Sequence, residues 1–316
     1  MTTFNPQIRV RVPATSANLG PGFDALGLAL QIYNFVGIRE SLSGKDEIIA
    51  EGEGARMLQE GAPQDNIALR AAQELWRELE LAPTPFQLTL ENAIPLARGL
   101  GSSSAARVGA LVAANEMARQ KHGKAAQGST LLRLATRLEG HPDNVAPALS
   151  GGLIVSIARE DGAVFSSRAP IKKFPRLVVF IPENELETKT ARGVLPTEIS
   201  MRDAVFNIAR VGFLMTALIN EEWKFLSEAL RDKLHQSQRA ALMPAYDAVA
   251  RAAVNAGAFG ATLSGAGPCV LAWLPDAGST PFAAIEAMQS AAAECGIIGV
   301  AREVAVDIEG CVVVEK

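Results

Sequence analysis

The sequence predicts an α+β protein of two domains, and three observations carry that prediction. The chain has 316 residues, too many for one small core and enough for one large or two medium ones. Its opening is rich in strand patterns, whereas the second half mixes strands and helices as an α+β layer does. Between the two, residues 158–175 (AREDGAVFSSRAPIKKFP) turn polar and irregular, which sets the expected division at 1–165 and 166–316. Hydrophobic residues at 48% and charged residues at 20% are globular values, so a packed core is expected rather than disorder.

In chain order, Gln7–Val12 alternates polar and apolar, with Ile8, Val10 and Val12 one way and Arg9 and Arg11 the other. That is a half-buried strand, expected to end at Pro13 and to run into the small, glycine-rich loop ATSANLGPGFDALG. Leu26–Glu40 resumes strand character in two pieces, and Glu47–Glu51 adds another. Asp65-Asn66 offers an N-cap to the helix IALRAAQELWREL, whose WRELE end (Trp76–Glu80) reads as a solvated face. Phe86–Leu90 is a strand. The segment PLARGLGSSSA then feeds a helix reaching about Gln120, and Thr130–Leu138 is another helix. EGHPDNVAP reads as a loop broken by glycine and proline. Gly152–Ile157 and Leu177–Ile181 are strands, the second buried. Met201–Leu230 is helical in two pieces broken near Asn220, and Pro244–Ala256 is a helix opened by proline. Ala258–Leu263 and Cys269–Leu274 are strands joined by Ser264-Gly-Ala-Gly-Pro268. Pro281–Glu294 is a helix, and Val300–Val314 supplies one or two closing strands.

Several classes of function are excluded at this level. A net charge of −4 with no long basic run argues against a nucleic-acid partner. Cys269, Cys295 and Cys311 are odd in number and form no CxxC, so reduced, mostly buried thiols in a cytoplasmic protein are expected. His122, His141 and His235 lie in no metal spacing with them, and no structural zinc is expected. The N-terminus MTTFNPQIRV lacks the apolar run of a signal peptide. Residues 252–275 carry no charge, but their glycines and prolines break them into short pieces, so no membrane span is expected.

The chemistry centres on PLARGLGSSSA: Pro95, Leu96, Ala97, Arg98, Gly99, Leu100, Gly101, Ser102, Ser103, Ser104 and Ala105. Gly99 and Gly101 admit backbone conformations that side chains forbid. The three serines can supply an N-cap, hydroxyl ligands and free backbone N–H groups. A glycine turn feeding a helix start aims N–H donors and about +0.5 of a charge outward. From these residues alone, a phosphate cradle and a tight loop with a well-capped helix are both open readings. No Gly-Lys-Ser/Thr follows, so it is not a Walker A loop, and Ser104 stands where a dinucleotide fingerprint needs glycine. The serine-hydrolase elbow GxSxG is missed by one residue and lacks its preceding strand. What remains is a lysine-free phosphate loop, in which a metal must carry more of the phosphate charge. Mg²⁺ takes hard oxygen ligands, so one serine hydroxyl and one carboxylate would suffice.

Glu139-Gly-His-Pro-Asp143-Asn144 is the best source of that carboxylate, and reads otherwise as a helix C-cap followed by a turn. The early loop holds Asn18 and Asp24, which could grip a polar small molecule, and the late loop around Ser264, Gly265 and Gly267 could bring backbone near a ligand. Either loop is also readable as a plain turn. Arg192 and Arg239 suit a carboxylate through their planar guanidinium groups, although each alone reads as a surface arginine.

Taken together, PATSANLGPGFDALGLAL, PLARGLGSSSA, LEGHPDNVAPALSGG and GATLSGAGPCV, in this order, resemble the homoserine kinase family of GHMP small-molecule kinases. TKTARGVLP adds to that resemblance, which spans Val12 to about Trp273. It implies a ribosomal protein S5 domain 2-like N-terminal domain and a ferredoxin-like C-terminal domain. It implies transfer of the γ-phosphoryl of ATP to the side-chain hydroxyl of L-homoserine, in threonine biosynthesis, with ATP over Pro95–Ala105. By position, Ser103 and Glu139 are expected to hold Mg²⁺ and Asn66 to lie near the adenine. Asn18, Asp24, Asn144, Arg192 and Arg239 are expected to surround homoserine, Asp24 toward its ammonium and the arginines toward its carboxylate. Asp143, Asn144 and Arg192 are the catalytic candidates, with Asn144 orienting the hydroxyl and no group acting as a full general base. A homodimer is the family-level expectation. The alternatives are a sibling kinase acting on another small alcohol and a non-catalytic, ligand-sensing member of the fold.

Overall fold

A computed structural model describes residues 7–276 and 281–315; residues 1–6, part of the N-terminal stretch read above, lie outside them. The first half builds β1 (Ile8–Ala17), β2 (Leu26–Glu40), β3 (Glu47–Gly52), α1 (Ala55–Glu60), α2 (Ile67–Glu78), β4 (Phe86–Asn92), α3 (Ser102–His122), α4 (Gly128–Glu139), α5 (Pro142–Ser150), β5 (Leu153–Ala158) and β6 (Val164–Arg168). The second half adds β7 (Arg176–Pro182), α6 (Thr188–Gly193), α7 (Met201–Ile219), α8 (Leu226–Ala229), α9 (Gln236–Ala240), α10 (Tyr246–Asn255), β8 (Gly260–Leu263), β9 (Val270–Leu274), α11 (Pro281–Glu294), β10 (Gly299–Val304) and β11 (Val312–Glu315).

The first sheet runs β11-β1-β2-β4-β3, with β5 on β2 and β6 on β5. β2 is one continuous strand rather than two pieces, because its two ends serve different partners: Leu26–Leu28 pair with β5 and Phe35–Glu40 with β4. β1 does not stop at Pro13 but continues to Ala17. The register against β2 shifts between Pro13 and Ala14, and such an irregularity accommodates the N–H that proline lacks. One face of this sheet is covered by α2, α3, α4 and α5 in a single apolar core. α3 lies so close to the sheet that a Cβ on Gly109 would come 2.6 Å from the Val36 side chain. The WRELE segment is only partly solvated. Trp76 is buried, its ring edge-on to Phe86 at 5.0 Å between centroids.

The second sheet, β10-β7-β9-β8, is buried on both faces by the period-two rule for strands. Val178 and Phe180 face α10 and α11 together with Val249, Ala284 and Met288. Leu177, Val179, Leu271 and Trp273 join Leu214 and Leu218 of α7 in the larger core. The two closing strands part company: β10 pairs with β7, whereas β11 returns to β1 of the first sheet. Helix α10 starts at Tyr246 rather than at Pro244. Cys269 is buried, Cys311 half-buried and Cys295 exposed, and all three are free. No described helix is long and apolar enough to cross a membrane.

HPDNVAP proves to be helical, a correction to the loop reading. Pro142 takes the first position of α5 with Asp143 beside it, where proline and an acid are favoured, and Pro147 lies inside. Pro147 cannot donate to the Asp143 carbonyl one turn back. That carbonyl instead faces the backbone of Gly27, where a Cβ would stand 1.8 Å from the oxygen. A glycine in β2 thus makes room for a proline-containing helix.

Candidate active site

The glycine–serine loop is held from both sides. Thr15 of β1 donates its N–H to the Leu100 carbonyl at 3.0 Å, and Ser264 Oγ donates to the Gly99 carbonyl at 2.7 Å. Gly99 and Gly101 have φ of 78° and 69°, the left-handed region that favours glycine. A Cβ on Gly99 would meet the Ser264 carbonyl at 2.1 Å, and one on Gly101 would meet Thr15 Oγ1 at 1.9 Å. The N-cap of α3 is Gly101 and no side chain caps the first turn, so the serines do not serve as the N-cap. With the cap position taken by a residue lacking a side chain, the first N–H groups of a helix have no intrahelical acceptor and stay open to a ligand.

These N–H groups border a cavity of about 380 Å³ lying among α3, α4, α5, α6, α9 and the loops at residues 18–24 and 264–267. Leu96, Ala97, Arg98, Gly99, Leu100, Gly101, Ser102 and Ser103 line it, as do Asn66, Glu139, Asp143, Asn144, Asn18, Asp24, Arg192, Arg239 and Gly265. Pro95, Ser104, Ala105, Ser264 and Gly267 do not line it; Ser104 and Ala105 are fully buried, and Ser264 acts through its bond to Gly99. The Arg98 guanidinium turns away to the carbonyls of Pro182 and Glu183 at 2.8 and 2.7 Å, tying the loop to β7. Asn66 caps α2, its Oδ1 accepting from the N–H groups of Ala68 and Leu69 at 2.9 and 3.2 Å.

Ser103 Oγ donates to Glu139 Oε1 at 2.5 Å. Arg107 holds the other oxygen of Glu139, a residue one turn along α3 that the sequence reading missed. The spacing Ser103–Arg107 was the available signal, since residues four apart share a helix face. Asn144 Oδ1 accepts from Thr15 Oγ1 at 2.8 Å, and Asp143 bonds to His141. Burial works against protonation of His141, but the hydrogen bond and charge of Asp143 outweigh it, with Glu139 adding, and the imidazole pKa rises above its usual value.

The two arginines are unlike. Arg192 grips Asp24 with both terminal nitrogens, at 3.0 and 2.7 Å, in a half-exposed fork that raises its pKa. Arg239 is 2% exposed and lies in no ion pair among the described residues. Its Nε donates to the Ala191 carbonyl at 3.3 Å, and its Nη1 to the Gly265 carbonyl at 3.1 Å and to His235 Nδ1 at 3.0 Å. Burial and the nearby Arg192 push its pKa down, although Asp24, Asp143 and Asp232 act the other way from beyond ion-pair distance. Neither arginine is the free surface side chain that each resembles in isolation. Asp24 comes from 168 positions away, which no local pattern reveals. Phe23 lies close to both, its ring centroid 5.6 Å from the Arg192 guanidinium carbon and 5.4 Å from that of Arg239.

The chain as a whole is similar to known kinases. Residues 66–152 match the GHMP kinases N terminal domain and residues 214–299 the GHMP kinases C terminal domain. The class is therefore that of the ATP-dependent small-molecule kinases with a two-domain α+β GHMP fold. The chain is 45% identical over 305 residues to homoserine kinase from Moorella thermoacetica, covering 96% of this chain and 99% of that one. It is 43% identical over 304 residues to homoserine kinase from Nostoc punctiforme, covering 96% and 97%. Among solved structures it matches homoserine kinase from Cytophaga hutchinsonii with a TM-score of 0.85 at 27% identity, over 99% of both chains. Mevalonate kinase from Methanococcus jannaschii shares the fold at a TM-score of 0.65 and 16% identity, over 96% and 99%. The chain belongs to the homoserine kinase family of GHMP kinases.

Proposed function

We propose that the protein transfers the γ-phosphoryl of ATP to the side-chain hydroxyl of L-homoserine, giving O-phospho-L-homoserine in threonine biosynthesis. The observation that carries this reading is Arg239, a buried cation at the cavity wall that no carboxylate among the described residues hydrogen-bonds. Burying an unpaired charge is costly, so the site is built for an anion that arrives with the substrate. The α-carboxylate of homoserine fits that role, and the Asp24–Arg192 fork beside it can open toward the ammonium and the same carboxylate. A neutral sugar would leave Arg239 unpaired.

ATP would rest its phosphates on the open N–H groups of α3 and its adenine against Met57, Leu58, Ile67, Leu90 and Leu96 near Asn66, all on the cavity wall. Ser103 Oγ and Glu139 Oε1, two hard oxygens 2.5 Å apart, suit Mg²⁺, which takes few protein ligands and fills its shell with phosphate and water. Bound there, Mg²⁺ would supply the charge neutralisation that a loop without lysine lacks. Arg107 keeps Glu139 turned toward Ser103. Asn144, anchored by Thr15, orients the acceptor hydroxyl, and Asp143 positions His141 and is not a full general base. Phosphoryl transfer depends chiefly on positioning and charge stabilisation, which this set supplies. We further propose a cytoplasmic homodimer. Family membership and the exposed side chains Met201, Val205 and Ile208, which share a face of α7, support the dimer.

A coupled ADP-release assay with Mg²⁺ and ATP over homoserine, mevalonate, galactose and no acceptor tests the reading. ADP release that depends on homoserine alone is expected. Release that is equal with and without homoserine would contradict it.

A further inference from the structure

Behind Arg239 lies a buried polar chain that the reaction itself does not use. His235 is fully buried. Its Nε2 lies 2.8 Å from the Gly20 carbonyl and its Nδ1 3.0 Å from Arg239 Nη1. A carbonyl only accepts and a guanidinium only donates, so the hydrogen bonds assign the proton to Nε2 and leave Nδ1 as an acceptor. The imidazole is therefore neutral. Burial, the largest cause, and the neighbouring Arg239 both act against its protonation, although the charge of Asp232 favours it.

The turn that carries His235 is fixed by Asp232, whose side chain is also fully buried. Its carboxylate accepts from the N–H groups of Leu234, His235 and Gln236 at 3.0, 2.8 and 2.7 Å. Asn207 donates to it at 2.7 Å and reaches the Pro21 carbonyl at 3.0 Å. The carboxylate thus stays on the backbone side of the turn and makes no hydrogen bond to the imidazole or to Arg239.

All the acceptors around Arg239 are therefore neutral: two carbonyls and one imidazole. They hold Nε and Nη1 and leave Nη2 without a protein partner among the described residues. A carboxylate in place of His235 would orient the guanidinium equally well but would neutralise it. A neutral acceptor orients it and leaves its charge for the ligand.

We infer that His235 is a positioning residue for the acceptor substrate, aiming the Arg239 guanidinium, which no carboxylate hydrogen-bonds, into the cavity through Nδ1 while Nε2–H fastens it to the Gly20 loop. The inference rests on the reading of Arg239 as the anchor of the acceptor's carboxylate.

Asparagine places an acceptor oxygen near the position of Nδ1, whereas glutamine places its amide near Nε2, so the two variants separate the two bonds. His235→Leu and His235→Gln should raise the acceptor KM roughly tenfold or more, as expected for losing one hydrogen bond to a charged group, with the KM for ATP within about twofold. His235→Asn should keep the acceptor KM within about threefold of the wild type. Thermal melts identify which variants fold; if His235→Leu does not, the asparagine–glutamine pair decides. A folded His235→Leu or His235→Gln with unchanged acceptor KM overturns the inference, as does His235→Asn being impaired as much as the others. Arg239→Ala is assayed in parallel. If it leaves the acceptor KM unchanged, the anchor reading itself fails; if it raises KM while the His235 variants are silent, only the positioning role falls.

Discussion

Glu139 is engaged on both oxygens, by Ser103 on one side and Arg107 on the other. As a proposed Mg²⁺ ligand it should be sensitive to losing its charge while keeping its shape. Glu139→Gln is expected to raise the Mg²⁺ concentration needed for half-maximal rate and to lower kcat by at least tenfold, an order-of-magnitude estimate for a charge stabiliser in phosphoryl transfer. Unchanged Mg²⁺ dependence would remove Glu139 from the metal site. Asp143 is a separate case, because its carboxylate already bonds to His141. If no group acts as a full base, Asp143→Asn should retain measurable turnover. Abolished turnover in a folded, ATP-binding variant would make Asp143 the base. At this scale the sequence was informative about chemistry and silent about partners. Ser103, Glu139 and Asp143 stand in motifs whose residue types point to the roles proposed for them. Arg107 and His235 became candidates only through the neighbours that the fold brings to them.

The glycine–serine loop and α3 form the element proposed to carry the nucleotide's phosphates. Gly101 combines a left-handed backbone with a wall only 1.9 Å from where a Cβ would stand, at Thr15 Oγ1, and 3.1 Å from Asn144 Oδ1. Gly101→Ala must therefore displace the loop, the Thr15–Asn144 bond, or both. A displacement near 1 Å at a reacting centre can cost about a hundredfold in rate, so a loss of roughly that size in kcat/KM for ATP is expected by steady-state kinetics. Unchanged kinetics would show that the loop does not set the phosphate position. The loop was legible because its glycine and serine requirements are local. The helix at HPDNVAP was not legible, since two prolines in nine residues argue against a helix until Gly27 of another strand is known to lie against the freed carbonyl. The continuation of β1 past Pro13 was hidden for the same reason, because it depends on a register shift against β2.

At the scale of the whole molecule, the two sheets each supply part of one cavity. The first half contributes the glycine–serine loop, Asn18, Asp24, Glu139 and Asn144. The second half contributes Arg192 and Arg239 and the Gly265 backbone. Arg98 links the halves through the Pro182 and Glu183 carbonyls, and β11 brings the C-terminal segment back to β1. The α+β class could be read from strand and helix periodicity, but not which sheet each closing strand joins, because pairing partners leave no local trace. The whole fold recurs in mevalonate kinase from Methanococcus jannaschii at 16% identity, and the proposed acceptor groups lie on loops and short helices. The central claim is that a buried, unpaired Arg239 selects an amino-acid acceptor. It is tested most directly by running the ADP-release assay on the wild type and on Arg239→Ala, with homoserine and with 3-aminopropan-1-ol, which lacks the carboxylate. The wild type should prefer homoserine by about a hundredfold or more in kcat/KM, the scale of a buried charge-assisted contact, and Arg239→Ala should lose most of that preference. An equal preference in both proteins would contradict the claim.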